Sequence, residues 1–487
     1  MSPAAARIQL ALISHTNVGK TTLARTLTGI DVGEVRDAVH VTTLAESHTL
    51  LSSEQGDRLL LWDTPGFGDS VRLYRRLSQS GNPVGWFLRE VVDKYRDRPF
   101  WLSQQAFRAA REHADVLLYL VNSAEDPQDT GYLAPEMKIL QWLQKPVVVL
   151  LNQMGPPRPA EQERAEQARW QDYLAAYPVV KQTIALDAFA RCWVHERVFY
   201  EALGGLLPDA AKGGYARLVA TWESNNAARF AAAMRLSAQA LAEAARDSQA
   251  IVAEQESFLR STVLKVVGLQ QKRQQRQHDA AMNILLARLN ARLNLATAGL
   301  LELHRLDPGA ALKINQRVRE NFVVRAPLDT KQAGLLGALI SGAATGLTAD
   351  LMAGGLSLGG GALVGGVVGA LTFAGAAWGF NEKTDNRQTR VQFADAFLRS
   401  LLVASLLRYL AVAHFGRGRG NFSEGEAPAF WQAEVEQAVA RHEQQLAGLW
   451  PMLRAEHSQQ SAAGELEALL SRITMDILHQ LYPHSGH

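Results

Sequence analysis

Residues 7 to 22, Arg-Ile-Gln-Leu-Ala-Leu-Ile-Ser-His-Thr-Asn-Val-Gly-Lys-Thr-Thr, carry an apolar strand directly into a loop. The spacing Ser14-x4-Gly19-Lys20-Thr21 follows the Walker A pattern in all but its first glycine. Strand, phosphate loop and helix in this order predict an α/β P-loop NTPase domain, a mostly parallel sheet with helices on both faces, and a bound nucleotide. Each residue type has a physical job. Gly19 lets backbone N–H groups approach the phosphates, Lys20 supplies a point charge, and the Thr21 hydroxyl can join a Mg²⁺ shell. Residues 20 to 28 read as a helix whose N-terminal dipole faces the phosphates, with Gly29 as its C-cap. The expected nucleotide-binding set is Ser14, His15, Thr16, Asn17, Val18, Gly19, Lys20, Thr21 and Thr22.

Residues 58 to 66, Arg-Leu-Leu-Leu-Trp-Asp-Thr-Pro-Gly, read as a second buried strand ending in Asp63-x-x-Gly66. There an aspartate holds Mg²⁺ through water and a glycine amide senses the γ-phosphate. Between the two motifs lies Val41-Thr42-Thr43, where a switch threonine would sit; Thr43 is the expected metal-contacting hydroxyl, with Thr42 close behind. Ala114 to Asn122 and Pro146 to Asn152 are continuous apolar runs, as strands covered by helices on both faces should be.

Together these motifs resemble the small GTPases of the translation-factor class, in particular the Era, MnmE and septin-like branch, over residues 5 to about 208. The resemblance implies GTP as ligand and Mg²⁺, held by Thr21, Thr43 and Asp63, as cofactor. It also implies a reacting phosphate served by Lys20, Asn17 and Gly66, and base contacts from Asn152 and Gln153. Three details set the chain apart. Phe67 stands where Ras-like enzymes carry the water-orienting glutamine. Asn17 stands where MnmE-like enzymes carry the asparagine that helps bind K⁺, which implies cation-stimulated hydrolysis and pairing of two nucleotide domains; shaping the loop is the other reading of Asn17. The base motif Asn-Lys-x-Asp is replaced by Asn152-Gln153-Met154-Gly155, so the carboxylate that accepts the guanine N–H donors is missing and ATP becomes an alternative ligand. Asp187, following the expected sixth strand in Ile184-Ala185-Leu186-Asp187, is a candidate to reach the base instead.

A chain of 487 residues should hold two or more domains, and 47% hydrophobic with 20% charged residues is ordinary globular composition outside one region. The net charge of +2 argues against a large nucleic-acid surface. The single cysteine, Cys192, excludes an internal disulfide, and the 13 histidines show no ligand spacing. Met-Ser-Pro-Ala-Ala-Ala-Arg leads straight into the first strand and leaves no room for a signal peptide, so a cytoplasmic location is expected.

The exceptional region is 332 to 381, with 14 glycines and one charged residue, Asp350. Residues 333 to 353 and 362 to 380 form two apolar arms joined by a glycine-rich turn, and each has the roughly 20 residues that a helix needs to cross a bilayer core. Gly361-x3-Gly365-x3-Gly369 puts glycines on one stripe, Trp378 suits an interfacial anchor, and Lys331, Lys383, Arg387 and Arg390 flank the arms. This predicts a hairpin inserted into, or lying on, the cytoplasmic side of the inner membrane, with membrane lipids as partners. A soluble buried hairpin is the competing reading, and Asp350 favours it.

Long helices surround this insert. Leu218, Trp222, Phe230, Met234, Ala238 and Leu241 recur at helical spacing from about 214 to 261, and Met282, Leu285, Leu286, Leu289 and Leu293 further on. Residues 391 to 413, Phe430 to Leu449 and Leu466 to Leu481 complete the set, broken near Pro451. The basic runs Gln271 to Arg276 and Arg417 to Arg419 read as solvated loops or headgroup contacts. Residues 68 to 113, rich in aromatics (Trp86, Phe87, Tyr95, Phe100, Trp101), form an extended switch. The expected domains are therefore 1–208 and 209–487. Ser14 to Thr22, Asp63 to Gly66 and Ala333 to Phe380 make the whole chain resemble the bacterial family catalogued as domain of unknown function 3482, and, by layout alone, dynamin-like proteins. The sequence thus predicts a GTPase switch coupled to a membrane-associating helical domain, with self-association as a dimer or higher oligomer among its expectations and its protein partner unnamed. The alternatives are a soluble assembly GTPase with the hairpin at an interface and a nucleotide-gated glycine-zipper pore.

Overall fold

A computed structural model of the chain describes residues 5–16, 18–28, 46–79, 81, 85, 97–154, 160–186, 193–251, 269–306, 378–381, 390–414, 429–455 and 457–481. Asn17, Thr43, Asp187, Gly155, Gly29, Cys192, the aromatics Trp86, Phe87 and Tyr95, and the apolar arms up to residue 377 lie outside the described residues. The chain divides into two compact units, one of 1–228 with 413–426 and 478–487, the other of 229–412 with 427–477.

The first unit is built on a six-stranded sheet. Its strands are β1 (Arg7–Ser14), β2 (Glu46–Ser52), β3 (Arg58–Asp63), β4 (Val116–Asn122), β5 (Val147–Asn152) and β6 (Val180–Ala185), in the spatial order β2-β3-β1-β4-β5-β6. All pairings are parallel except that of the polar edge strand β2 with β3. The apolar runs Val-Leu-Leu-Tyr-Leu-Val and Val-Val-Val-Leu-Leu are buried along their length because both faces are covered. Alternate residues of these strands serve opposite faces. Leu10, Leu12, Leu118, Leu120 and Leu150 pack with α1 (Lys20–Thr28) and with Phe199, Tyr200 and Leu203 of a later helix. Ala11, Ile13, Leu117, Tyr119 and Val149 pack against α2 (Ser70–Ser78), α3 (Arg98–His113), α4 (Leu133–Gln141) and α5 (Ala160–Leu174).

After β6 come α6 (Trp193–Gly204) and the long α7 (Asp209–Arg246). The sequence boundary at 208 falls short of the compact unit because Tyr215, Leu218 and Trp222 of α7 belong to the sheet's core. The attachment is also polar. Asp57, fully buried, accepts two hydrogen bonds of 2.8 Å from the Arg217 guanidinium, one from Ala6 N at 2.8 Å and one from Ser53 Oγ at 2.6 Å. These bonds, the Arg217 pair above all, hold the Asp57 carboxyl well below the usual range. A β-carbon on Gly214 would collide with Ala6 and stand 2.9 Å from Asp57 Oδ1, so only glycine lets helix and strand meet there.

The second unit is helical with a small antiparallel sheet, β7 (Ser248–Ala250), β8 (Trp378–Asn381) and β9 (Arg390–Phe393), in the order β7-β9-β8. The remaining helices are α8 (Leu269–Leu303), α9 (Asp395–Ala413), α10 (Ala429–Ala440), α11 (Glu443–Arg454) and α12 (Gln459–Leu481). Arg288 and Arg292 of α8 both reach Asp247 beside β7.

Five sequence expectations change here. The helix expected to about 261 ends at Arg246 and gives way to β7. The one expected over 391–413 begins as a strand, because Arg390-Val-Gln-Phe393 alternates exposed and buried with period two before Asp395 opens α9. The end of the second apolar arm, Trp378 to Phe380, is β8, so Trp378 lies in a sheet rather than on a helix. Gln271 to Arg276 lie in α8, not in a loop. Pro451 sits inside α11, in its last turns, and Ala455 N closes the helix onto Pro451 O at 3.1 Å.

Candidate nucleotide site

The ends of β1 and β3 create the site. Beyond Ser14 the chain turns through the phosphate loop into α1, and beyond Asp63 it turns through Thr64-Pro65-Gly66-Phe67. The two turns are tied together. Phe67 N donates to Ser14 O at 2.9 Å, His15 and Phe67 form a further parallel bridge, and Thr64 Oγ1 donates to Leu12 O at 2.6 Å. Gly19 adopts φ +93°, and a β-carbon there would stand 2.9 Å from Asn152 Nδ2, so both its backbone and its packing require glycine.

Lys20 lies against this turn, its Nζ donating to Ser14 Oγ at 2.8 Å. Burial lowers its pKa, and the charges of Asp63 and Glu136 oppose that shift. Thr21 Oγ1 donates to Asp63 Oδ2 at 3.0 Å, which brings together two of the three expected metal ligands from strands and helix 42 residues apart. A hydroxyl and a carboxylate, the latter buried, are the hard oxygen donors that Mg²⁺ takes. At Gly66 a β-carbon would stand 2.9 Å from Lys20 Nζ and 3.2 Å from Thr16 Cα, so the Gly66 backbone is adjacent to the Lys20 ammonium. Phe67 is fully buried in the core with Leu73, Leu77 and Phe107, turned away from any role in orienting water.

Asn152 Nδ2, at the end of β5, donates to Val18 O at 2.8 Å, which ties β5 to the loop before α1. Gln153 follows in a left-handed conformation, φ +58°. Thr22 is buried in the first turn of α1.

Sequence reasoning missed the surroundings of His15. Its Nδ1 lies 2.8 Å from Glu136 Oε1, its ring stacks on Tyr132 at 4.1 Å and 12°, and Tyr119 OH donates to Glu136 Oε2 at 2.5 Å. The only sequence signal was an acid in the apolar stretch Leu133-Ala-Pro-Glu-Met of α4.

A phosphate loop with Gly19, Lys20 and Thr21 in place, an Asp63-x-x-Gly66 turn beside it and a mostly parallel α/β sheet beneath define a GTPase-type P-loop domain, and residues 9–153 match the family described as 50S ribosome-binding GTPase. Residues 179–475 match the domain of unknown function DUF3482, and the chain belongs to that family. Among solved structures the chain is similar to Era of Aquifex aeolicus bound to GDP and AlF4⁻ (19% identity, TM-score 0.30, covering 42% of this chain and 58% of that one). The same figures hold for Era in complex with MgGDPNP and a segment of 16S ribosomal RNA. The bacterial selenocysteine-specific elongation factor is 16% identical, with TM-score 0.26 and coverage of 44% and 29%. The chain spans 58% of the length of these Era structures. None of the curated proteins matches it.

Proposed function

We propose that the protein is a GTP-dependent switch whose slow hydrolysis is coupled to a membrane-associating helical unit, acting in membrane remodelling or on a membrane complex at the cytoplasmic face. The observation that carries the chemical half is the convergence of Lys20, Thr21, Asp63 and Gly66 at the linked ends of β1 and β3. Thr21 and Asp63 would hold Mg²⁺, with Thr43 as the third group, and the ion would neutralise charge on the β- and γ-phosphates. Lys20 adds a second positive charge, and its partner Ser14 keeps the ammonium aimed into the loop. The buried Phe67 supports slow basal turnover, and Asn17 would recruit K⁺ when two nucleotide domains pair.

Titration of the full chain with fluorescent GTP and ATP analogues tests this half. Lys20→Ala and Thr21→Ala weaken binding by on the order of ten- to a hundredfold, as loss of a charged hydrogen bond does, and equal affinity of all three proteins would refute the loop assignment. Discrimination between GTP and ATP is weak, because no carboxylate follows Asn152-Gln153 at the usual position. Hydrolysis compared in potassium and sodium salts tests Asn17.

Support for the membrane half is the charge-poor segment 332–381 with its cationic flanks. A buried soluble hairpin is the second reading, favoured by α9. It is the one described helix long and apolar enough to cross a membrane, and it is mostly buried within protein. Fractionation decides. Deleting 333–377, which spares β8, releases the protein from membranes under the first reading. Under the second, the intact protein ignores liposomes.

A further inference from the structure

The contact between His15 and Glu136 is not used by the phosphate and metal roles given above, yet it is elaborately supported. Glu136 is fully buried, and both its oxygens are engaged, one by Tyr119 OH and one by His15 Nδ1. A buried carboxylate accepts hydrogen bonds, so His15 Nδ1 carries the proton toward it. His15 is also clamped from its face by Tyr132, whose own hydroxyl bonds Glu125 at 2.5 Å. Its main chain meanwhile pairs with Phe67, next to Gly66. One residue of the phosphate loop is thus fastened by its side chain to α4 and β4 and by its backbone to the turn that senses the γ-phosphate. Glu136 also acts on Lys20 through its charge.

We propose that His15 and Glu136 are positioning residues for hydrolysis, holding the start of the phosphate loop and the Gly66–Phe67 turn in the register that the γ-phosphate requires. This inference rests on the GTPase assignment. The pair fixes two turns relative to each other. Its loss therefore matters most when both must grip one phosphate, with GTP bound, and least with GDP.

The test measures kcat, KM and GDP affinity on the full-length chain. His15→Ala lowers kcat by on the order of ten- to a hundredfold, the effect expected of a small misplacement at a reacting phosphate, while GDP affinity changes less than about threefold. His15→Asn, whose amide can take the place of Nδ1–H, recovers most of the rate. Glu136→Gln keeps the shape and loses the charge, and it behaves like His15→Ala. Wild-type kcat in His15→Ala overturns the proposal. So does a parallel fall of GTP affinity, GDP affinity and thermal midpoint, the signature of a merely structural contact. If His15→Ala does not fold, Glu136→Gln decides: a wild-type kcat there also overturns it. Absence of Lys20-dependent hydrolysis in the wild type would instead refute the GTPase assignment.

Discussion

Each unit buries a charge, and the two are handled in opposite ways. In the nucleotide unit Asp57 is surrounded by donors: a bidentate guanidinium, a backbone amide and a hydroxyl. In the helical unit Arg408, 2% exposed in the middle of α9, has an Nε with no hydrogen-bond partner, and no acid among the described residues pairs with it. Burial alone brings its pKa down to about 10. A charge met on every side locks two elements into one geometry. A charge left unmet subtracts from stability, and it is tolerated only where the apolar packing around it, here the length of α9, is extensive.

The largest effect should come from breaking the satisfied pair. Arg217→Met strands Asp57 in the core and costs about 3 to 5 kcal/mol by denaturant unfolding; a loss under about 1 kcal/mol would mean that α7 is held by its apolar residues alone. The pH dependence follows from the same pair. Because Asp57 titrates lower folded than unfolded, its contribution is present above the ordinary carboxylate range, near pH 4, and fades as the solution is acidified below it. Arg217→Met should flatten that acid limb.

Nucleotide binding gives the next contrast. At a GDP concentration a hundred times Kd, amides of β1 and α1 should gain about 2.7 kcal/mol of protection from hydrogen exchange, and those of α9 distinctly less. Equal gains would show that the two units open as one. The smallest effect tests Arg408. Replacing an unmet buried charge by an apolar side chain of similar volume should stabilise, so Arg408→Met raises stability by on the order of 1 kcal/mol. A loss instead would show that the guanidinium has an acceptor that the described residues do not include.

Much of the nucleotide unit was legible because its chemistry dictates its spacing. Strand, loop and helix, and then Asp63-x-x-Gly66, could be placed from residue type alone, as could the doubly covered strands β4 and β5. Three things were not. Asp57 and Arg217 are 160 residues apart and belong to no motif, so only the fold reveals that α7 closes the sheet's core. Glu136 looks like an ordinary helix acid until His15 and Tyr119 converge on it. In the helical unit, apolar composition stands in for structure: Val391 to Phe393 read as the start of the following helix because three alternating residues are outweighed by nineteen helical ones. Asn17 and Thr43 lie outside the described residues, as does Asp187, which belongs to no motif.

The short strand β8 sets a ruler against the apolar segment. With Trp378 committed to pairing opposite Phe393, the second arm has only residues 362 to 377 left for anything else. As a helix that stretch would rise about 24 Å, against a hydrocarbon thickness of about 30 Å. A full crossing by that leg, were the proposed insertion to occur, would need thinner lipid or an opened β8–β9 pairing, so the pairing of Trp378 with Phe393 and membrane insertion compete for the same few residues.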